Sequence, residues 1–269
     1  MSTKNSKNAL NSPDQVTEKL REGFVWTTAH SKMVITAIIV FVVIGAGVSI
    51  SGYLSDKKET TYQEKYFPFE KAYTEKRRTF EEAARLAAAP QPKDKKTPAP
   101  VVDPSKKATG DMQKDYGDVI AGFEGLVNEV PSTKAGQMSA LNLSNIYIDY
   151  KKNDEALATL QKVEKNLNNT DATSALIYMQ MGNIYADKGD CKSAVSSWEK
   201  IANNKSFKFA HDEAKLRMGL CYESMNDLAK AEALYTEVSK KEEAGSPNDM
   251  AAVREADKYL RLLKAKKSL

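Results

Sequence analysis

Histidine and cysteine are scarce in this chain, at two residues each in 269. His30 and His211 carry no HExxH or Cys/His spacing, so a protein-built metal site has no ligand set. No glycine-rich phosphate loop follows a strand pattern and no G-x-S-x-G elbow occurs, which removes the common nucleotide-binding and serine-nucleophile constellations. Carboxylates are numerous but lie among lysines at helical spacing, leaving general acid–base chemistry without a specific pair. Charge of one sign is missing too. The chain has 40 basic and 36 acidic residues, a net charge of +4, and no basic stripe interleaved with aromatics of the kind a nucleic-acid interface needs. These absences point away from an enzyme, from any cofactor and from a nucleic-acid partner.

What is present begins with one apolar run. Residues 33–54 read MVITAIIVFVVIGAGVSISGYL without a charged side chain. At about 1.5 Å of rise per residue such a run covers the roughly 30 Å hydrocarbon core of a bilayer. Lys32 marks one boundary and Asp56, Lys57 and Lys58 the other, with Trp26 and Tyr53 placed for the two interfaces. A cleavable secretory signal is the rival reading, since Gly45, Gly47, Ser49 and Ser51 are small. The polar leader containing Asp14, Glu18 and Glu22 and the length of the run favour an uncleaved anchor. The short leader carries Lys4, Lys7, Lys19, Arg21 and Lys32, and long domains translocate largely regardless of charge. The expected orientation is therefore leader inside and large domain outside, which in a bacterium means the inner membrane with a periplasmic C-terminal domain.

Around the span, the sequence divides into a cytoplasmic tail at 1–32, the membrane helix at 33–54, a juxtamembrane helix at 55–89, a linker at 90–110 and a helical region at 111–269. Residues 1–15 are polar and rich in Asn and Ser, the composition of a disordered tail. A short helix from about 16 to 28 precedes the span. In 59–89, Tyr62, Tyr66, Phe69, Tyr73, Phe80, Ala84 and Leu86 recur near helical spacing, and Pro68 is expected to kink or split that helix. The stretch 90–110 holds Pro90, Pro92, Pro98, Pro100 and Pro104, five of the nine prolines, among lysines, and reads as an extended linker.

Beyond it the chain repeats itself. LSNIY at 143–147 is followed by Ala156 and Leu160, MGNIY at 181–185 by Ala194 and Trp198, and MGLCY at 218–222 by Ala231 and Tyr235. In each case the alanine comes nine positions after the tyrosine, and the large residue four positions after that. The small residues Ser144, Gly182 and Gly219 let one helix of a pair approach the other, and the alanine does the same from the opposing side. Turns such as Lys188-Gly189-Asp190 and Met225-Asn226-Asp227 combine a helix ender with a helix starter. Phe123, Leu126 and Pro131 fit the second half of one more pair, in a helix from about 109 to 129 whose partner is the 59–89 helix. Ser246-Pro247-Asn248-Asp249 opens a last helix with Val253, Ala256, Tyr259, Leu260 and Leu263 on one face, as a terminal cap requires.

These windows resemble the tetratricopeptide repeat (TPR), whose pattern W-x2-L-G-x2-Y, A-x3-F, P spans about 34 residues. Tyr178, Met181, Gly182, Tyr185, Gly189, Asp190, Ala194 and Trp198 carry the resemblance best; Ser144 and Lys215 depart from it. The implied fold is all-α, with one N-terminal transmembrane helix followed by a TPR-type α-solenoid and a C-terminal capping helix. In such domains first helices line a groove that binds other proteins. Here that face carries Met138, Leu141, Asn145 and Ile148, then Leu176, Met179, Gln180 and Asn183, then Glu213, Leu216, Arg217 and Leu220. A carboxylate clamp of the kind some members use would need basic residues where Leu141 and Glu213 stand. Cys191 opens the second helix of one repeat and Cys221 lies late in the first helix of the next. A disulfide and a pair of small buried thiols both fit those positions. The order of basic tail, membrane helix and soluble repeat domain resembles the YfgM-like ancillary subunits of the SecYEG translocon. That implies a partner among translocon chains and periplasmic chaperones; a scaffold for a division, secretion or outer-membrane assembly complex is the alternative.

Overall fold

A computed structural model describes residues 15–89, 103–240 and 247–267. The expected polar tail before residue 15, the linker through residue 102 and the cap at Ser246 lie outside the described residues. The chain forms two compact units, 1–57 and 58–269.

The first unit holds α1 (Gln15–Ala29) and the start of α2 (Ser31–Ala88). Its apolar side chains are bare: Phe41, Val42, Val43 and Val48 are all exposed. Among the described helices, α2 is long and apolar enough by composition to cross a membrane, with a mean hydropathy of 2.8 over an 18-residue window. Its hydroxyls turn inward on the helix, Thr36 donating to the Lys32 carbonyl at 2.8 Å and Ser49 to that of Gly45 at 2.9 Å.

In the second unit helices pair and stack. Residues of α2 beyond 57 pair with α3 (Met112–Glu129), α4 (Lys134–Asp149) with α5 (Asn153–Glu164), α6 (Ala172–Asp187) with α7 (Cys191–Ala202), and α8 (His211–Ser224) with α9 (Leu228–Ser239). Helix α10 (Pro247–Lys267) closes the stack. No strand occurs among the described residues.

The first pair is joined by aromatics. Tyr66, Phe69 and Tyr73 of α2 surround Phe123 of α3 with ring centroids 5.9, 6.4 and 6.0 Å away, and Phe80 meets Tyr116 at 5.6 Å. Of the two outcomes expected at Pro68, a split does not occur: α2 runs through it as one helix. A single proline deletes only one backbone donor, and the neighbouring Tyr66 and Phe69 are anchored on Phe123. Helix α3 starts later than 109 because Thr109 and Gly110 are drawn out of it. Their backbone N–H groups donate to the buried Asp115 carboxylate at 3.0 and 3.2 Å, while Asp111 caps the helix.

Asp115 also accepts from Thr109 Oγ1 at 2.9 Å and Tyr150 Oη at 2.6 Å, tying the segment before α3 to the end of α4. Burial alone would raise its pKa, but the hydrogen bonds from Tyr150, Thr109 and Gly110 outweigh that and hold it below the usual carboxylate range. A depressed folded pKa stabilises the fold above the unfolded value of about 3.9, and that stabilisation is lost as pH falls through the folded pKa. Asp115→Asn should therefore cost about 1–3 kcal/mol at pH 7 and flatten the acid side of the stability profile. Urea midpoints measured from pH 7 down to pH 3 test this; parallel profiles for the two proteins would contradict it.

The repeat signature is a contact between helices of one pair. Gly182 lies under the Trp198 ring and Gly219 against Tyr235, so a Cβ at either glycine would overlap the ring. The first repeat uses Ser144, fully buried with its hydroxyl unpartnered among the described residues. Each inter-helix turn closes on the repeat tyrosine: the N–H groups of Lys152, Asp190 and Asp227 donate to the carbonyls of Tyr147, Tyr185 and Tyr222 at 2.8, 2.9 and 2.8 Å. The residue before each adopts positive φ, Lys151 at 62°, Gly189 at 78° and Asn226 at 62°. Asp190 and Asp227 then cap the following helix, whereas Lys152 offers no side-chain cap.

Candidate functional site

The face carried by α4, α6 and α8 is the candidate site. On α6, Leu176, Met179 and Asn183 follow one another at helical spacing; Leu176 is 50% exposed, and the other two are half-buried. The Asn183 Oδ1 has no hydrogen-bond partner among the described residues. Asn145 of α4 accepts from Gln180 Nε2 of α6 at 3.2 Å, so an amide pair bridges the two first helices. Met138 and Ile148 of α4 are half-buried against the main core. The result is a surface of thioether, aliphatic and amide groups. Apolar parts can take up hydrocarbon side chains, and amides can donate to or accept from a polypeptide backbone.

Two of the expected groove residues are buried. Leu141 is buried in the main core at 8% exposure, and Leu216 is 2% exposed in a second cluster with Ala252, Ala256, Leu260 and Leu263 of α10. The capping helix covers the face on which Leu216 lies, whereas Leu141 is covered by the main core. Arg217 is half-buried and held by Glu213, with Nε and Nη2 at 2.7 and 2.6 Å from the carboxylate. Leu220 is 37% exposed and lines a cleft of about 540 Å³ with Glu223, Leu228, Tyr259, Leu262 and Lys266. Sequence reasoning missed this cleft because it requires knowing how α10 docks.

At the edge of α4, partial desolvation beside α2 raises the carboxyl of the exposed Asp149 above its ordinary value, with the Arg77 guanidinium opposing. Burial likewise raises the Tyr73 hydroxyl, against the lowering effect of Arg77. These groups form a structural seam between α2 and α4, continued by Asn142 donating to Tyr66 Oη at 2.8 Å. No group of three or more potential metal-ligating side chains occurs among the described residues. The two cysteines are joined as a disulfide with Cα atoms 5.2 Å apart, linking the first residue of α7 to α8.

A family model described as a tetratricopeptide repeat-like domain matches residues 25–255. No curated protein matches the sequence. Among solved structures, the chain is similar to the crystal structure of MamA, at 21% identity over 59% of this chain and 90% of that one, with a TM-score of 0.40. It is also similar to the crystal structure of Podosopora anserina putative kinesin light chain nearly identical TPR-like repeats, at 15% identity over 58% and 90%, with a TM-score of 0.43. The family match spans most of the chain and coincides with the paired helices whose Gly182–Trp198 and Gly219–Tyr235 contacts recur. The chain therefore belongs to the tetratricopeptide repeat-like domain family and carries a protein–protein interaction module of that type.

Proposed function

We propose that the chain is a single-pass membrane protein of the bacterial inner membrane, whose periplasmic TPR module is a non-catalytic accessory factor of protein export. Residues 33–54 would be the anchor and the groove on α4, α6 and α8 the docking surface for translocon and chaperone chains, the role of the YfgM-like subunits it resembles. The observation that carries the membrane half is the bare apolar stretch of α2, which would be costly in water. The Cys191–Cys221 disulfide supports an oxidising compartment for the repeat domain. The groove reading is supported by exposed Leu176 and Leu220 beside amides. Asn145, Ile148, Met179, Gln180, Asn183 and Arg217 complete it.

Two experiments test the two halves separately. Protease added to spheroplasts should degrade the chain beyond Tyr53 while the leader survives; protection of the repeat domain would refute the orientation. Photo-crosslinkers placed at Leu176, Asn183 and Leu220 should capture translocon and chaperone chains, whereas one at the exposed Lys192 on α7 should not. Envelope-assembly proteins captured instead would favour the scaffold reading. Capture from Lys192 alone would refute the groove.

A further inference from the structure

The disulfide pins α8 to α7 within the main core, and α8 is the helix from whose other side a second core begins. Buried apolar residues form one cluster that runs from Tyr66 of α2 to Ala214, Met218 and Cys221 of α8. A second comprises Leu216 of α8, Ala231, Tyr235 and Val238 of α9, and the buried face of α10. Helix α8 is the boundary, presenting one side to each cluster. The 3-10 segment Lys205–Ala210 is inserted between α7 and α8, lengthening the connection at this joint. The preceding joint is crossed by side chains, with Gln180 on Asn145 and Lys200 on Glu164 at 2.6 Å. At the α7–α8 joint the main cluster continues from Trp198 and Ile201 to Ala214 and Met218, and a covalent bridge crosses beside it.

We propose that Cys191–Cys221 is a thiol-exchange latch that couples the last repeat and its cap to the rest of the solenoid. Repeat stability is a sum of intrinsic and neighbour terms, so removing the crosslink weakens one joint without loosening all of them. Its reactant is a dithiol, either a small molecule or a dithiol protein. A thiolate of the dithiol attacks the sulfur of Cys191, which is half-buried whereas Cys221 is buried. Cys221 leaves as a thiolate and takes a proton from solvent. The second thiol of the reductant then attacks the mixed disulfide and releases Cys191, and two electrons have passed from the dithiol to the bridge. Because α8 also carries Arg217 and Leu220, the latch sets how firmly that end of the groove is held. This last consequence rests on the groove reading; the latch does not.

The test is amide hydrogen exchange on the full chain in detergent, oxidised, reduced with dithiothreitol under native conditions, and re-oxidised. Exchange in α8, α9 and α10 should accelerate at least about tenfold on reduction, remain unchanged in α4 and α6, and recover on re-oxidation. The double variant Cys191→Ser, Cys221→Ser should match the reduced wild type, and the reversible wild-type cycle stands on its own if that variant fails to fold. Three results would overturn the latch: free thiols in protein isolated with an alkylating trap, a bridge that dithiothreitol reduces only in denaturant, or acceleration spread evenly over the solenoid. Altered exchange with unchanged partner capture would uphold the latch and count against the groove.

Discussion

Trp198→Ala should lower the stability of the repeat domain by about 3–5 kcal/mol, the usual range for truncating a fully buried aromatic. Trp198 is 2% exposed and lies on Gly182, and its indole N–H donates to the Met179 carbonyl at 3.4 Å. Truncation would leave a cavity between α6 and α7 and withdraw the group that seats the backbone of a groove helix. The companion change Gly182→Ala pushes a Cβ into the same ring and should cost about 1–3 kcal/mol as overpacking. In the Trp198→Ala background the ring is gone, so Gly182→Ala should cost far less there than in wild type. That non-additivity, read from denaturant midpoints followed by far-UV circular dichroism, separates a direct contact from two independent defects. Additive losses would show that the glycine is small for some other reason. Trp26→Ala, on the exposed surface of α1, is the control and should leave the repeat domain's midpoint within about 0.5 kcal/mol.

The same contact explains how much of the fold was legible. The interval from Gly182 to Trp198, repeated from Gly219 to Tyr235, is the distance along the chain at which the two helices of one pair touch. Such a spacing survives as a pattern in the sequence. The caps at Asp190 and Asp227 are equally local and equally readable. What could not be read depends on partners far along the chain. Leu216 holds the same periodic position as Met179, yet it is buried because α10 returns across it, and periodicity alone cannot tell a groove face from a face awaiting a cap. Asp115 reads as a surface carboxylate at a helix start until Tyr150, 35 residues later, is folded against it. Gly136 matches no repeat position, but a Cβ there would collide with the Val130 carbonyl, a constraint set by the turn preceding α4. Lys151 takes the left-handed turn that glycine or asparagine takes in the other repeats, and nothing in its chemistry announces it. In the candidate groove the choice of first helices was readable from the repeat frame, while the exposure of each side chain was not.

Phe123→Ala should be the most damaging change at the other end of the solenoid, because Phe123 is fully buried and three rings of α2 converge on it. The expected loss is about 3–5 kcal/mol, concentrated on the pair formed by α2 and α3. Gly122 sharpens the effect: its missing side chain is what admits Phe69, so the two helices meet through a glycine and one aromatic hub. Tyr62 donating to Glu129 at 2.6 Å and the Tyr66 hydroxyl accepting from Asn142 would remain, but both are polar contacts and neither replaces the lost ring. The readout is limited trypsin digestion, since α2 offers Lys65, Lys71, Lys76, Arg77, Arg78 and Arg85 along its length. Cleavage there should accelerate in the variant at enzyme levels that leave α6 and α7 intact, because a terminal pair has a neighbour on one side only. Phe80→Ala, removing a half-buried ring that meets Tyr116, should give a smaller shift in the same direction. If instead Phe123→Ala exposed α6 and α7 as readily as α2, the stack would be melting as one unit, and the nearest-neighbour account of its stability would have to be abandoned.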